Sequence, residues 1–153
     1  TLTDYERSGI GNSVGTQRRL EGLLKTASEA DANETVANKS KNWRLGFADR
    51  WMEADIARLF SYCNNTIQLN NMVPNHEASM SKLFTTELNQ KIAATTIKLF
   101  GLYGMLWDES RPEALRGRAA GAYLSAVSAT IAGGTSEIQR NIIATRGLGL
   151  PRG

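Results

Sequence analysis

The run Ala132-Gly-Gly-Thr-Ser-Glu-Ile-Gln-Arg-Asn-Ile-Ile-Ala144 holds the residue types that bind negative charge. Gly133 and Gly134 lead into Thr135 and Ser136, either of which can cap a helix, and an amphipathic stretch follows. A helix that opens this way presents free N–H groups and the positive end of its dipole, and glycine lets a ligand approach closely. An ordinary capped helix has the same composition, so the residues alone leave both readings open. Several arginines sit near glycine-rich segments, as they would around a phosphate-bearing ligand. Other chemistry has little to work with. The single cysteine, Cys63, excludes a disulfide framework, and with the single histidine, His76, it excludes zinc clusters built from those ligands. A Ser-His-Asp hydrolase would have to rest on His76 alone, in a Pro-Asn-His-Glu turn.

The elements that position the 132–144 run are helices. The chain has 153 residues, 41% hydrophobic and 22% charged, which fits one soluble globular domain with a real core. No run approaches the roughly 18 apolar residues of a membrane span, and no signal-peptide pattern opens the chain, so a cytoplasmic location is expected. The net charge of +3 comes from 18 basic and 15 acidic residues, too small and too dispersed an excess to argue for nucleic acid. Ile56, Leu59, Phe60, Cys63 and Ile67 recur at helical spacing, preceded by Trp51 and Met52 on a compatible face. Met80, Leu83, Phe84, Leu88 and Ile92 do the same, and Ile97, Leu99 and Phe100 continue the run. Alternating strand patterns of useful length are absent.

The fold class is therefore all-α: an up-and-down four-helix bundle with a short extra C-terminal helix. Its helices are expected at roughly 3–30, at 39–70, from Asn75 as N-cap to about Phe100, after Pro112, and from near Thr135 to the Gly147-Leu148-Gly149 stretch. Gly117, Ala120, Gly121 and Ser125 form a small-residue face that a neighbouring helix can approach. Segment 31–42 is polar and rich in turn formers, so it is expected to be an exposed loop. Cys63 is expected in the core, and Trp43 and Trp51 in packing or an interface. For Trp107, beside the glycines at 101 and 104, packing and stacking on a ligand stay equally open.

The string Gly-Gly-Thr-Ser-Glu-Ile-Gln-Arg-Asn-Ile-Ile-Ala, followed by Arg-Gly-Leu-Gly-Leu-Pro-Arg, resembles the C-terminal signature of the flavin-dependent acyl-CoA dehydrogenases. Lys82-Leu-Phe-Thr-Thr-Glu-Leu-Asn-Gln90 and Lys98-Leu-Phe-Gly-Leu-Tyr-Gly-Met105 are similar to that family's third bundle helix and its glycine turn. Trp43-Arg-Leu-Gly-Phe-Ala-Asp-Arg-Trp-Met-Glu53 resembles its second helix, and Leu2-Thr-Asp-Tyr-Glu-Arg7 the start of its first. The resemblance implies the C-terminal helical bundle over 1–153, without the family's N-terminal helical and middle β domains. It therefore implies a fragment or excised domain, which alone would bind FAD poorly.

The resemblance also implies roles. The family removes an α-proton from an acyl-CoA thioester while hydride leaves the β-carbon for FAD, with the thioester carbonyl polarised by fixed donors. Many members carry the base immediately before the Gly-Thr of the signature, where this chain has Gly133. Others place it in a Glu-Arg pair on the first bundle helix, which makes Glu6 the candidate base and Arg7 its orienting or substrate-binding partner. A free glutamate titrates near about 4.3, and burial against flavin and acyl chain would raise it. Gly133 retains a backbone N–H that can polarise the carbonyl, with Gly134 beside it on the substrate. Thr135 and Glu137 match flavin-contacting positions, the second usually a glutamine. Gly101 and Gly104 match the turn that receives a partner subunit's adenosine, and Lys98 replaces the usual glutamine there. An arginine-x-x-phenylalanine-glycine stretch that grips the partner's pyrophosphate is missing, and segment 31–42 occupies its place. The implied assembly is a homo- or hetero-oligomer, dimer or tetramer, passing electrons to an electron-transferring flavoprotein. Gly133 and the missing stretch also admit a catalytically silent structural subunit, and the bundle alone admits a related flavin oxidase or monooxygenase.

Overall fold

The computed structural model describes residues 10–32, 43–107, 115 and 117–152. Among them are six α-helices and no strand: α1 (Ile10–Ala32), α2 (Trp43–Leu69), α3 (His76–Phe100), α4 (Leu102–Met105), α5 (Arg118–Ala129) and α6 (Ser136–Ile142). A π-helical turn, Ile143–Gly147, continues α6. The helical bundle with a short C-terminal helix is thus as expected. Its plan is centred on α3, which packs against every other element. The expected starts of α1 near residue 3 and of α2 near 39, and most of loop 31–42, lie outside the described residues.

The core follows from which faces meet. Leu20 of α1, Phe47, Ala54 and Ala57 of α2, and Leu88 and Ile92 of α3 form one buried cluster, flanked by Leu23, Trp43, Trp51 and Phe84. Ala27, Leu99 and Phe100 form a second, with Leu23, Trp43 and Leu115 against it. Trp43 packs edge-on to Phe47, their ring centroids 6.3 Å apart, and Phe60 to Phe84 at 5.5 Å. Both tryptophans of α2 therefore pack, as expected.

Much of the apolar stripe of α2 faces outward, although Phe60 and Ile67 are half-buried. Met52, Ile56, Leu59 and Cys63 are exposed, Leu59 to 62%. Phe47, Ala54, Ala57, Ser61 and Asn64 are buried in their place. Small side chains at helical spacing let α3 approach closely, and the bulkier stripe is left on the opposite side. Cys63 is consequently an exposed free thiol and not a core residue. Asn64 is wholly buried, and neither polar atom of its amide has a partner among the described residues.

Two local expectations change, and a third, the start of the fourth helix after Pro112, lies outside the described residues. That helix is described from Arg118, with Gly117 (φ 71°) at its N-cap and Leu115 (φ 52°) before it, both in left-handed conformations. On α5 the buried residues are Ala119 and Ala126, whereas Ser125 is exposed, so the inward face is set by the alanines. A Cβ on Gly121 would lie 3.7 Å from the Trp107 ring, so the glycine side of that face receives a side chain from the preceding segment. Asn75 precedes α3 but its side chain makes no cap bond. Its Oδ1 accepts from Arg146 at 2.9 Å, while the Asn75 N–H donates to Glu77 Oε2 at 3.0 Å.

The inverted face of α2 can be checked in the isolated chain by chemical denaturation. Leu88→Ala is expected to cost about 3 kcal/mol, whereas Leu59→Ala is expected to stay within about 0.5 kcal/mol of wild type. Comparable losses would mean that Leu59 is a core residue after all.

Candidate functional site

The 130–137 turn is built around two glycines. Gly133 and Gly134 have φ of 66° and 102°, the second beyond the range that L side chains adopt without strain. A Cβ on Gly134 would also stand 2.7 Å from Gln139 Nε2, whereas one on Gly133 would meet nothing within 4 Å. Gly134 is thus required by conformation, and a Cβ there would also displace the end of the Gln139 amide. Gly133 is required by conformation only.

The carbonyls of this turn are held by the chain itself. Gln139, 1% exposed, donates from Nε2 to Gly133 O at 3.1 Å and to Gly134 O at 3.4 Å. Lys82 Nζ, reaching across from α3, donates to Gly134 O at 2.5 Å and to Thr130 O at 3.4 Å. Gln90, two turns further along α3, donates to the Thr130 hydroxyl at 3.1 Å. Arg140 of α6 pairs with Glu87 of α3 at 2.6 Å. The far end of this layer is fastened by Arg146 on Asn75, and by Gly147, where a Cβ would stand 3.0 Å from the His76 ring. His76 has this packing role and an ion-pair distance of 3.5 Å to Glu77. Burial lowers the Lys82 amine below the ordinary lysine range, and the nearby Glu87 charge offsets part of that effect.

The N–H groups of Gly133, Gly134 and Thr135 have no acceptor among the described residues. They are three consecutive donors able to meet an anionic or carbonyl oxygen. Of the two candidate caps it is Thr135 that closes α6, its hydroxyl oxygen accepting from Ile138 N at 3.4 Å. Glu137, at the opening of α6, holds its carboxyl below the usual carboxylate range through its own N–H and the Thr135 hydroxyl. A negative side chain therefore already occupies the entrance of α6. That arrangement suits a neutral carbonyl at the 133–135 donors better than a diphosphate at the helix end.

Lys98, Gly101 and Gly104 lie elsewhere. Lys98 is sixteen residues beyond Lys82 on α3, about 24 Å along the axis at roughly 1.5 Å per residue. It borders an open groove of ≈ 560 Å³ with Ile97, Met105, Trp107, Tyr123 and Leu124, in which the Trp107 side chain is exposed. Gly101 ends α3 with φ 56° and open space around it. Gly104 is buried, and a Cβ there would crowd Ile97 and Phe100 at 3.3 Å, so packing of the turn accounts for that glycine. The structure thus brings together Gly133, Gly134, Thr135 and Glu137, and separates them from Lys98, Gly101 and Gly104. Glu6 and Arg7 lie outside the described residues.

A sequence model of the family described as acyl-CoA dehydrogenase, C-terminal domain, matches residues 1–148. The chain belongs to the acyl-CoA dehydrogenase family. Over 76 residues it is 37% identical to the acyl-CoA dehydrogenase FadE26 of Mycobacterium tuberculosis (strain ATCC 25618 / H37Rv), which is 50% of this chain and 19% of that protein. Among solved structures it is similar to a Tcur3481-Tcur3483 steroid ACAD carrying a G363A substitution, with 25% identity and a TM-score of 0.82 over 99% of this chain and 39% of that one. It is also similar to the ChsE4-ChsE5 complex of Mycobacterium tuberculosis, with 28% identity and a TM-score of 0.71 over 88% of this chain and 36% of that one. The chain therefore spans about two-fifths or less of these acyl-CoA dehydrogenase relatives. No helix among the described residues is long and apolar enough to cross a membrane.

Lys82 and Gln139 were not singled out by sequence reasoning. A signal existed for the first: a lysine between Met80, Leu83 and Phe84 must find buried acceptors or snorkel to water. Two outcomes are expected of this site. In thermal or chemical denaturation, Gly133→Ala should cost about 1 kcal/mol and Gly134→Ala about 3 kcal/mol; equal costs would contradict the contact with Gln139. Because folding lowers the Glu137 value, its contribution to stability is present above the ordinary carboxylate range and lost as pH falls through the lowered one. Glu137→Gln should therefore flatten the acid limb of the stability–pH profile of the chain.

Proposed function

We propose that this chain is the C-terminal domain of an FAD-dependent acyl-CoA dehydrogenase that introduces an α,β double bond into an acyl-CoA thioester. The observation that carries the reading is the glycine turn at 133–135, with its carbonyls taken up by Lys82 and Gln139 and its N–H groups free of acceptors among the described residues. Donors of this kind stabilise the enolate character that develops on the thioester oxygen as the α-proton leaves. Gly133 supplies such an N–H, and Gly134 lines the same substrate position. Glu6 takes the proton and Arg7 orients the carboxylate or the thioester. A bound FAD would supply the acceptor for the hydride that leaves the β-carbon.

Thr135 and Glu137 border the flavin, and Lys98, Gly101 and Gly104 meet the adenosine end of a partner subunit's cofactor. The rise of about 24 Å along α3 from Lys82, which holds the 133–135 turn, to Lys98 supports contacts with two different cofactor molecules. The working protein is an oligomer in the cytoplasm, and an electron-transferring flavoprotein takes its electrons. A steroid-bearing acyl-CoA is the first substrate to offer, since a structure 25% identical to this chain carries a steroid description.

A second reading has its own support. Gly133 stands where many members carry the base, and Glu137 places negative charge at the entrance of α6. Gly133, together with the missing arginine-x-x-phenylalanine-glycine stretch, favours a structural subunit whose catalytic partner carries the base. One flavin per heteromer, with dehydrogenation retained after Glu6→Gln, would establish this reading over the first.

The test is flavin bleaching in the complete protein on addition of acyl-CoA under anaerobic conditions. Glu6→Gln is expected to slow bleaching by about 10³-fold, with flavin content unchanged. Full-rate bleaching in the variant removes Glu6 from the mechanism.

A further inference from the structure

We infer that Lys82 is the positioning residue of the glycine turn, tying it to α3 through the carbonyls of Gly134 and Thr130, so that the peptide bearing the Thr135 N–H, and with it the turn that presents the Gly133 and Gly134 N–H groups, is held in place for the substrate oxygen. The inference rests on the reading of that turn as the element that polarises the thioester.

Three observations carry it. First, one amine serves two separate elements: Thr130 O lies at the C-terminal end of α5, and Gly134 O within the turn that enters α6. A cation at a helix C-terminus is favoured by the dipole, so the ammonium joins the end of α5 to the turn as a single unit. Secondly, a carbonyl engaged by Lys82 or Gln139 fixes the rotation of its peptide plane, and with it the direction of the following N–H. Gly133 O sets the N–H of Gly134, and Gly134 O that of Thr135. With φ of 66° and 102°, the glycines have few steric restraints of their own, so side-chain tethers must supply the rigidity. Thirdly, Lys82 comes from α3, the helix that touches every other element, so its tether refers the turn to the core and not to another loop. Gln139 cannot do this, because it belongs to α6 and moves with the turn. Glu87 is the charged group that acts on the amine from its own helix, and Arg140 of α6 already engages that carboxylate.

The closing experiment has two arms and one rescue. In the full chain, amide exchange is followed by NMR at Ile131 and Ala132, both bonded to Ser128 O, and at Gln139, bonded to Thr135 O. Lys82→Met is expected to raise exchange at these amides about tenfold while those of α3 stay unchanged. In the complete flavoprotein, Lys82→Met is expected to lower kcat for acyl-CoA roughly 10²-fold with KM moved by less than about threefold, because a displaced donor is lost mainly in the transition state. The rescue uses Lys82→Cys in a Cys63→Ser background, which removes the exposed thiol, followed by alkylation with 2-bromoethylamine to regenerate an amine of nearly the same length. Restored exchange protection and restored kcat are expected. Unchanged exchange in Lys82→Met overturns the tether. Raised exchange with unchanged kcat, or no recovery after alkylation, overturns the positioning role. A wild-type protein with no dehydrogenation defeats the functional reading alone, and the exchange arm still upholds or overturns the tether.

Discussion

The molecule depends on α3 being approached from both sides at once. On one side it meets the small buried face of α2 and Leu20 of α1, and these contacts make the main core. On the other it meets α5, α6 and the π-turn, and there the fastening is polar: Asn75, Lys82, Glu87 and Gln90 each hold a group from the C-terminal layer. A helix locked by apolar burial can act as a fixed reference for a turn that has almost no packing of its own. Exposed ion pairs such as Arg140 with Glu87 add little energy individually. Their use lies in setting the register of α6 along α3.

The glycine turn is where rigidity and donor chemistry meet. Two residues with left-handed or more open φ would ordinarily sample many conformations, yet both of their carbonyls are engaged. Engaging the carbonyls and leaving the amides free separates the structural half of each peptide from the half able to meet a ligand. Glu137 then sets a charge preference at the entrance of α6, disfavouring a diphosphate there and leaving a neutral carbonyl as the better match for the neighbouring N–H groups. Family membership and this local chemistry are both consistent with the polarising role proposed for the turn.

The orientation of α2 shows a trade between bulk and closeness. Burying Met52, Ile56 and Leu59 would remove more apolar surface from water than burying Ala54, Ala57 and Ser61. It would also push α2 away from α3 and open gaps along Leu88 and Ile92, whose contacts depend on close packing. The small-residue seam wins in the single chain, and an apolar stripe with an exposed Cys63 remains outside.

Much of this was legible in the sequence. Apolar spacing marked the helices at Trp43–Leu69 and His76–Phe100, the Thr135-Ser136 pair offered the cap without choosing between its members, and the Gly-Gly-Thr-Ser string marked the turn, because each is a local property of neighbouring residues. Periodicity says that a helix has an apolar side; it does not say which side its neighbour takes, and so Cys63, expected in the core, is exposed while Asn64 and Ser61 are buried. Asn75 was read as a cap because its type and position fit, but Arg146, distant in sequence, takes its oxygen. Lys82 and Gln139 became site residues only through folding, since the carbonyls they bind are brought to them by the crossing of α3 with the C-terminal layer. Contacts between residues far apart in sequence depend on packing geometry, and that was decided by the tertiary structure alone.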